Sequence, residues 1–186
     1  MKSAATILGL MALGACAAPP PPPGNGDRPQ EVIPALDAAA VREDLESSAR
    51  ARFGDAAVET ALGSHANLFA KHYPGLPIPP SFLPDGVSPE PPLALLVRRE
   101  GRWAAAQSDG GWTPLRPEDE AALLAAVSDP VFRAEPEHAA PGCTDAGGSF
   151  LWLSLPGEPT RVRRGVCGGT KRTERLVFLA LQAARR

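Results

Sequence analysis

Five cations near the C-terminal end of the chain are the residues best placed to do chemistry. Residues 161–186 hold eight Lys and Arg against one acidic residue, Glu174. Cations in the first turn of a predicted helix oppose the helix dipole, while the free amides of that turn can bind an anion. The candidate anion-binding residues are therefore Arg161, Arg163, Arg164, Lys171 and Arg172. The alternative is a solvated face that pairs in part with the acidic run 118–120.

The histidines and the glycine-rich segment do not form a recognisable catalytic or metal-binding motif. His65 and His72 are seven residues apart, so on a helix they would lie about 10 Å apart, too far for one metal ion. His138 lies in a predicted loop without a positioned nucleophile. Residues 168–171 lack the glycine spacing of a phosphate-binding loop. The sequence therefore predicts no catalytic residue, no metal ligand and no cofactor.

The N-terminus carries the most informative motif of the chain. Lys2 precedes the apolar run 3–15, which would be about 20 Å long as a helix and too short to cross a bilayer. The run ends in Leu13-Gly14-Ala15-Cys16, which resembles the processing site of a bacterial lipoprotein signal peptide. The resemblance implies that Cys16 is joined to diacylglycerol and becomes the new N-terminus, with acyl chains such as palmitate anchoring the protein. The alternative is an ordinary secretory signal with a chance cysteine.

The resemblance also bears on location and on the remaining cysteines. Ala17, where an Asp would retain a lipoprotein in the inner membrane, implies an outer-membrane lipoprotein that faces the periplasm. An exported chain can form disulfides, so we expect one between Cys143 and Cys167. Its loop of about 25 residues would add roughly 3.5 kcal/mol of stability. Free thiols or metal ligands are the alternatives.

Proline divides the chain. The sequence has 22 prolines in 186 residues, and five of them are consecutive at positions 19–23. Such clusters stiffen linkers and interrupt regular structure. The predicted divisions are a signal peptide (1–15), a Pro-rich tether (16–34), a helical segment (35–73), a Pro-rich connector (74–92) and a disulfide-stapled α+β domain (93–186).

The helical segment is predicted to be a hairpin of two helices. Residues 35–53 are rich in Ala, Leu, Arg and Glu, with apolar residues near one helical face. Asp55 can cap a second helix. The apolar residues that follow are spaced by three and four, as on one helical face: Val58, Leu62, Ala66 and Phe69. This second helix would end near Tyr73.

The first half of the α+β domain is predicted to be a hairpin and a helix. Glu100-Gly101 forms a two-residue turn between two apolar strands, so Val97 should oppose Ala104 and Arg98 should oppose Trp103. The segment 117–128 begins with Pro and three acidic residues, which is typical of a helix N-terminus, and Asp129-Pro130 should end it.

The second half repeats this order of elements. Strands over 149–155 and 160–166 flank residues 156–159, and a helix follows over about 172–185. A loop at Gly157-Glu158 would pair Ser149 with Val166, and alternation would point Arg161 and Arg163 outward. The predicted fold class is α+β: an N-terminal helical hairpin, then ββα-ββα with a four-stranded antiparallel sheet and helices on one face.

These features favour a lipid-anchored envelope protein without enzymatic activity that either binds an unknown envelope protein or anionic polymer or supports the structure of the envelope. Its lipid makes the membrane a further partner. One alternative is an anionic-ligand binder that uses the 161–175 face. Another is a hydrolase or hydrolase inhibitor without a recognisable motif. Nucleic-acid binding is disfavoured by the few aromatic residues, 5% of the chain, and by the implied compartment.

Overall fold

A computed structural model describes residues 37–73, 90–135, 148–165 and 171–185. The helices within these ranges are α1 (Ala38–Phe53), α2 (Asp55–Leu62), α3 (Pro117–Ser128), α4 (Pro130–Ala134) and α5 (Lys171–Ala184). The strands are β1 (Asn67–Tyr73), β2 (Leu93–Arg99), β3 (Arg102–Ala106), β4 (Trp112–Pro114), β5 (Gly148–Ser154) and β6 (Arg161–Gly165). Cys16, His138, Cys143, Cys167, the signal peptide, the tether and residues 74–89 of the connector lie outside the described residues.

The described strands form one antiparallel sheet in the order β4-β3-β2-β1-β5-β6. The mixed α+β class is confirmed, but the predicted four-stranded sheet is wrong, because β1 and β4 add two further strands. β1 lies between the two predicted hairpins and pairs with β2 on one edge and with β5 on the other.

The segment that becomes β1 was predicted to be helical. Gly63 ends α2, and the side-chain amide of Asn67 donates to the carbonyl oxygen of Ala61 (2.8 Å), which holds the end of α2 against the start of the strand. Leu68 and Phe69 are fully buried against opposite faces of the sheet. A strand buried on both faces lacks polar alternation, so its apolar residues read equally well as one face of a helix.

Helices cover both faces of the sheet. α3 and α5 share one face, as predicted for the two helices that follow the hairpins, and α4 contributes Phe132 there. On the other face, α1 and α2 pack Leu45 and Val58 against Phe69 and Trp152, whose rings stack at 4.6 Å.

The β2–β3 hairpin has the predicted register. Glu100 (φ 51°) and Gly101 (φ 83°) form its turn in the left-handed region, Val97 pairs with Ala104, and Arg98 pairs with Trp103. The β5–β6 hairpin differs by one residue, because its loop is centred on Gly157 (φ 73°) and Ser149 pairs with Gly165. This longer loop accommodates two prolines, Pro156 and Pro159.

Asp129 ends one helix and begins the next. α3 spans the predicted residues 117–128, and the Asp129 side chain then accepts a hydrogen bond from the Val131 amide (2.8 Å) at the start of α4. This short helix was not predicted. It matters for the candidate site because it lies against the side chain of Arg163.

Candidate functional site

The five predicted cations do not share one open face. Arg161 and Arg163 contact α4 on one face of the sheet, whereas the Arg164 guanidinium lies 5.7 Å from the Phe150 ring and is exposed. Lys171 and Arg172 lie in the first turn of α5, as predicted, and Lys171 is exposed.

Arg163 is a structural residue, and its predicted outward orientation is wrong. Only 2% of it is exposed, and its guanidinium donates to the carbonyl oxygens of Phe132 and Arg133 in the last turn of α4. The same group stacks 4.5 Å from the centre of the Phe132 ring. The outward orientation was predicted from strand alternation, on the assumption that the arginine side of β6 is uncovered. In the structure α4 covers that side.

A carboxylate of the chain itself, that of Glu135, lies at the start of α5, where the sequence suggests that an anion can bind. The Glu135 carboxylate accepts hydrogen bonds from the Arg172 amide (2.7 Å), the Thr173 amide (2.8 Å) and the Thr173 hydroxyl (2.9 Å). It also lies 4.0 Å from Arg163. A carboxylate at a helix N-terminus satisfies free amides and complements the helix dipole. Glu135 therefore offsets the cost of the cations in that turn.

Two more of the predicted cations have internal partners. Arg161 lies 3.4 Å from the Glu158 carboxylate and 3.3 Å from the carbonyl oxygen of Arg133. Arg172 lies 3.3 Å from Asp129, whereas the predicted pairing was with the acidic run 118–120. Arg164 and Lys171 remain exposed members of the predicted set. Whether they bind an anion stays a prediction.

A polar cluster that was not predicted lies where β1 ends, on the α1 face of the sheet. The Lys71 ammonium is buried and donates to both carboxylate oxygens of Asp44 (2.9 and 3.0 Å) and to the Ser48 hydroxyl (2.7 Å). The Tyr73 hydroxyl donates to the same carboxylate (3.3 Å), and its ring lies 4.6 Å from the ammonium. The short Lys71–Ser48 contact resembles a nucleophile and its base, but Lys71 is held here as an ion pair with Asp44.

His72 and Ser149 form a second polar pair, at the same end of β1 but on the opposite face of the sheet. His72 Nδ1 is 3.1 Å from the Ser149 hydroxyl, and the His72 ring packs 4.8 Å from that of Phe178. Burial lowers the pKa of His72, and the nearby Glu174 carboxylate partly opposes that change. Because Ser149 is only 1% exposed, its hydroxyl is poorly placed to attack a substrate.

His65 is exposed. His65 lies in the loop between α2 and β1, and His72 lies on a strand, so the helical spacing assumed for the pair does not apply. Among the described residues no group of three or more His, Cys, Asp or Glu side chains is arranged to hold a metal ion. None of the helices in the described ranges has the length and apolar character needed to cross a membrane.

Comparison with known proteins adds no relative. No family model matches the chain, and no curated protein or solved structure is significantly similar to it. Function must therefore be argued from the residues and the fold alone.

The Glu135 contacts predict a specific stability loss. In Glu135→Gln, the first turn of α5 loses its charged acceptor and the buried Arg163 loses its nearby carboxylate. We expect the free energy of unfolding to fall by about 1–3 kcal/mol in urea denaturation. Glu118→Gln, at an exposed position in the first turn of α3, serves as the control and should change it by less than about 0.5 kcal/mol. Equal effects of the two variants would contradict the assigned role of Glu135.

The Lys71–Asp44 pair predicts an asymmetry. Asp44→Ala leaves a buried ammonium without a carboxylate and should cost about 3–5 kcal/mol of unfolding free energy. Lys71→Met should cost less than about 1.5 kcal/mol, because the Asp44 side chain is 42% exposed and can be hydrated. The double variant should resemble Lys71→Met in denaturant titrations. If Lys71→Met costs more than Asp44→Ala, burial of the ammonium is not the dominant cost.

His72 predicts a pH dependence of stability. Because its pKa is below the unfolded value of 6.5, the folded chain binds fewer protons than the unfolded chain between the lowered pKa and 6.5. Stability should therefore rise with pH through that window and level off above it. His72→Gln should reduce this slope in unfolding titrations from pH 5 to 8, whereas the exposed-site control His65→Gln should keep it. A slope that survives in His72→Gln would show that another group causes it.

Proposed function

We propose that the chain is a lipid-anchored protein of the bacterial cell envelope, held at the outer membrane facing the periplasm, which binds a partner and has no enzymatic activity. The observation that carries this proposal is Leu13-Gly14-Ala15-Cys16 at the end of a short apolar run that follows Lys2. That order of residues resembles a lipoprotein processing site. Ala17 supports the outer-membrane destination.

The described body suits an anchored binding domain. Its sheet is covered on both faces by helices from the described ranges. Asp37 caps the first of those helices, accepting hydrogen bonds from the Ala39 and Ala40 amides. In the sequence, this first described helix follows the predicted proline-rich tether, which is the order expected for a domain joined to its anchor by a linker.

The cysteine assignments belong to the same proposal. An exported chain would join Cys143 and Cys167, and the strands that these residues flank are adjacent, with Ser149 paired to Gly165. The start of β5 and the end of β6 are neighbours in the sheet, and in the sequence Cys143 precedes the one by five residues and Cys167 follows the other by two, which supports the proposed disulfide.

The alternatives are weaker on present observations. A hydrolase would need an accessible nucleophile, but the Ser149 hydroxyl beside His72 is buried. An anionic-ligand site built from all five predicted cations would have to compete with the internal contacts of Arg161, Arg163 and Arg172. Exposed cations are nevertheless present at Lys171 and Arg164, and they keep a second candidate function, binding of an anionic surface, open to test.

Metabolic labelling with palmitate tests the anchor. The chain expressed in a bacterial host should incorporate label and fractionate with the outer membrane. Cys16→Ser should lose both properties, because the acylated sulfur is absent. The matched control Cys143→Ser/Cys167→Ser should keep its label. Label that persists in Cys16→Ser, or wild-type chain that never incorporates it, would contradict the proposal.

A further inference from the structure

The outward face of α5 carries a row of exposed cations with an exposed aromatic residue at its centre. We call this row the α5 stripe and define it by five exposed residues: Lys171, Arg175, Phe178, Gln182 and Arg185. Their spacings of four, three, four and three residues keep them within roughly 80° of the helix circumference and spread them over about 21 Å. The opposite side of the helix is apolar and packs into the core.

Lys171, Arg175 and Arg185 form no ion pair with any other described side chain, in contrast to the buried Arg163 and to Arg172. Lys171 and Arg175 also lie near the positive end of the helix dipole, where cations are unfavourable. Cations that oppose local stability and have no ion-pair partner among the described residues are candidates for a role outside the fold.

Phe178 gives the stripe an apolar contact. Phe178 is 50% exposed, and it is one of three exposed large hydrophobic residues in the described ranges. Its ring packs against that of His72, with the two ring centres 4.8 Å apart. An aromatic ring flanked by cations suits the interface between lipid headgroups and acyl chains.

We propose that the α5 stripe docks on an anionic lipid surface, so that the anchored body lies against the membrane with α5 facing the headgroups. The stripe has no acidic member, and Glu174 at its border is only partly exposed. A convex row of cations matches a flat surface of phosphate groups, each cation contributing attraction near the surface. The docking rests on the proposed anchor for its biological setting, but the contact itself does not use the acyl chains.

Vesicle flotation tests the stripe separately from the anchor. The complete Cys16→Ser chain is mixed with vesicles of phosphatidylcholine alone, or with vesicles in which roughly one third of the lipid is phosphatidylglycerol. The neutral vesicles report any binding by residues 1–15, which all variants share. We expect the chain to float with anionic vesicles in excess of this background, and the excess to shrink as salt is raised.

A charge-matched pair of variants locates the contact. Lys171→Glu/Arg175→Glu/Arg185→Glu should lower the partition coefficient for anionic vesicles at least about tenfold. The control Arg52→Glu/Arg99→Glu/Arg116→Glu reverses three exposed cations elsewhere, giving the same net charge, and should retain most of the binding. Thermal unfolding checks that both variants fold. If the glutamate stripe variant does not, Lys171→Gln/Arg175→Gln/Arg185→Gln takes its place.

Several outcomes would overturn the proposal. One is equal flotation with neutral and anionic vesicles. Another is equal loss in the stripe and control variants, which would show a net-charge effect. A third is a stripe variant that keeps its vesicle binding but loses capture of an acidic envelope protein, which would assign the stripe to a protein partner. Palmitate labelling is independent of all three results, so failure of the docking and failure of the anchor are distinguishable.

Discussion

The burial of β1 on both faces and the pairing of both its edges set the requirements for the rest of the fold. In the described sheet, β1 alone joins the β2–β3–β4 half to the β5–β6 half. Each face of β1 must be buried by its own set of helices, and helices from both ends of the described chain pack there. Polar side chains near its end must then have partners, because unpaired charge in such a place is costly. Lys71 is neutralised by Asp44, and burial favours the neutral form of His72.

The same principle governs the cations around α5. Arg163 is buried and therefore bonded to helix carbonyls, and Glu135 joins it to the start of α5. Cations on the outer side of α5 are exposed to water, so they do not need a partner within the fold. The charge concentration near the C-terminal end thus consists of two populations, one that holds α4 and α5 to the sheet and one that faces solvent.

Local signals in the sequence predicted local elements well. The Glu100-Gly101 turn fixed the register of its hairpin, and proline followed by acidic residues marked the start of α3. The failures have two causes, which are burial on both faces for β1 and short length for β4 and α4. β1 has no polar alternation, β4 is three residues long, and α4 has only five residues, too few for a periodic pattern.

The candidate site was predicted only in part for a related reason. The excess of cations, and the need for an anion beside the α5 N-terminus, are visible in the sequence. The identity of that anion is not, because Glu135 is 37 residues before Arg172 and reaches it only through the packing of α4. The Lys71–Asp44 pair likewise joins a strand to a helix 27 residues away, and its residue types alone resemble ordinary surface charges.

The two outer strands of the described sheet bear on how copies of the protein would behave at high concentration. Exposed strand edges invite pairing between molecules, which leads to aggregation. At one border the strand has three residues and ends in Pro114, which has no amide hydrogen to donate. At the other border Arg164 is exposed, and a charged side chain on an edge strand disfavours pairing with a second copy. Concentrated solutions of this protein should therefore resist aggregation through pairing of these strand edges.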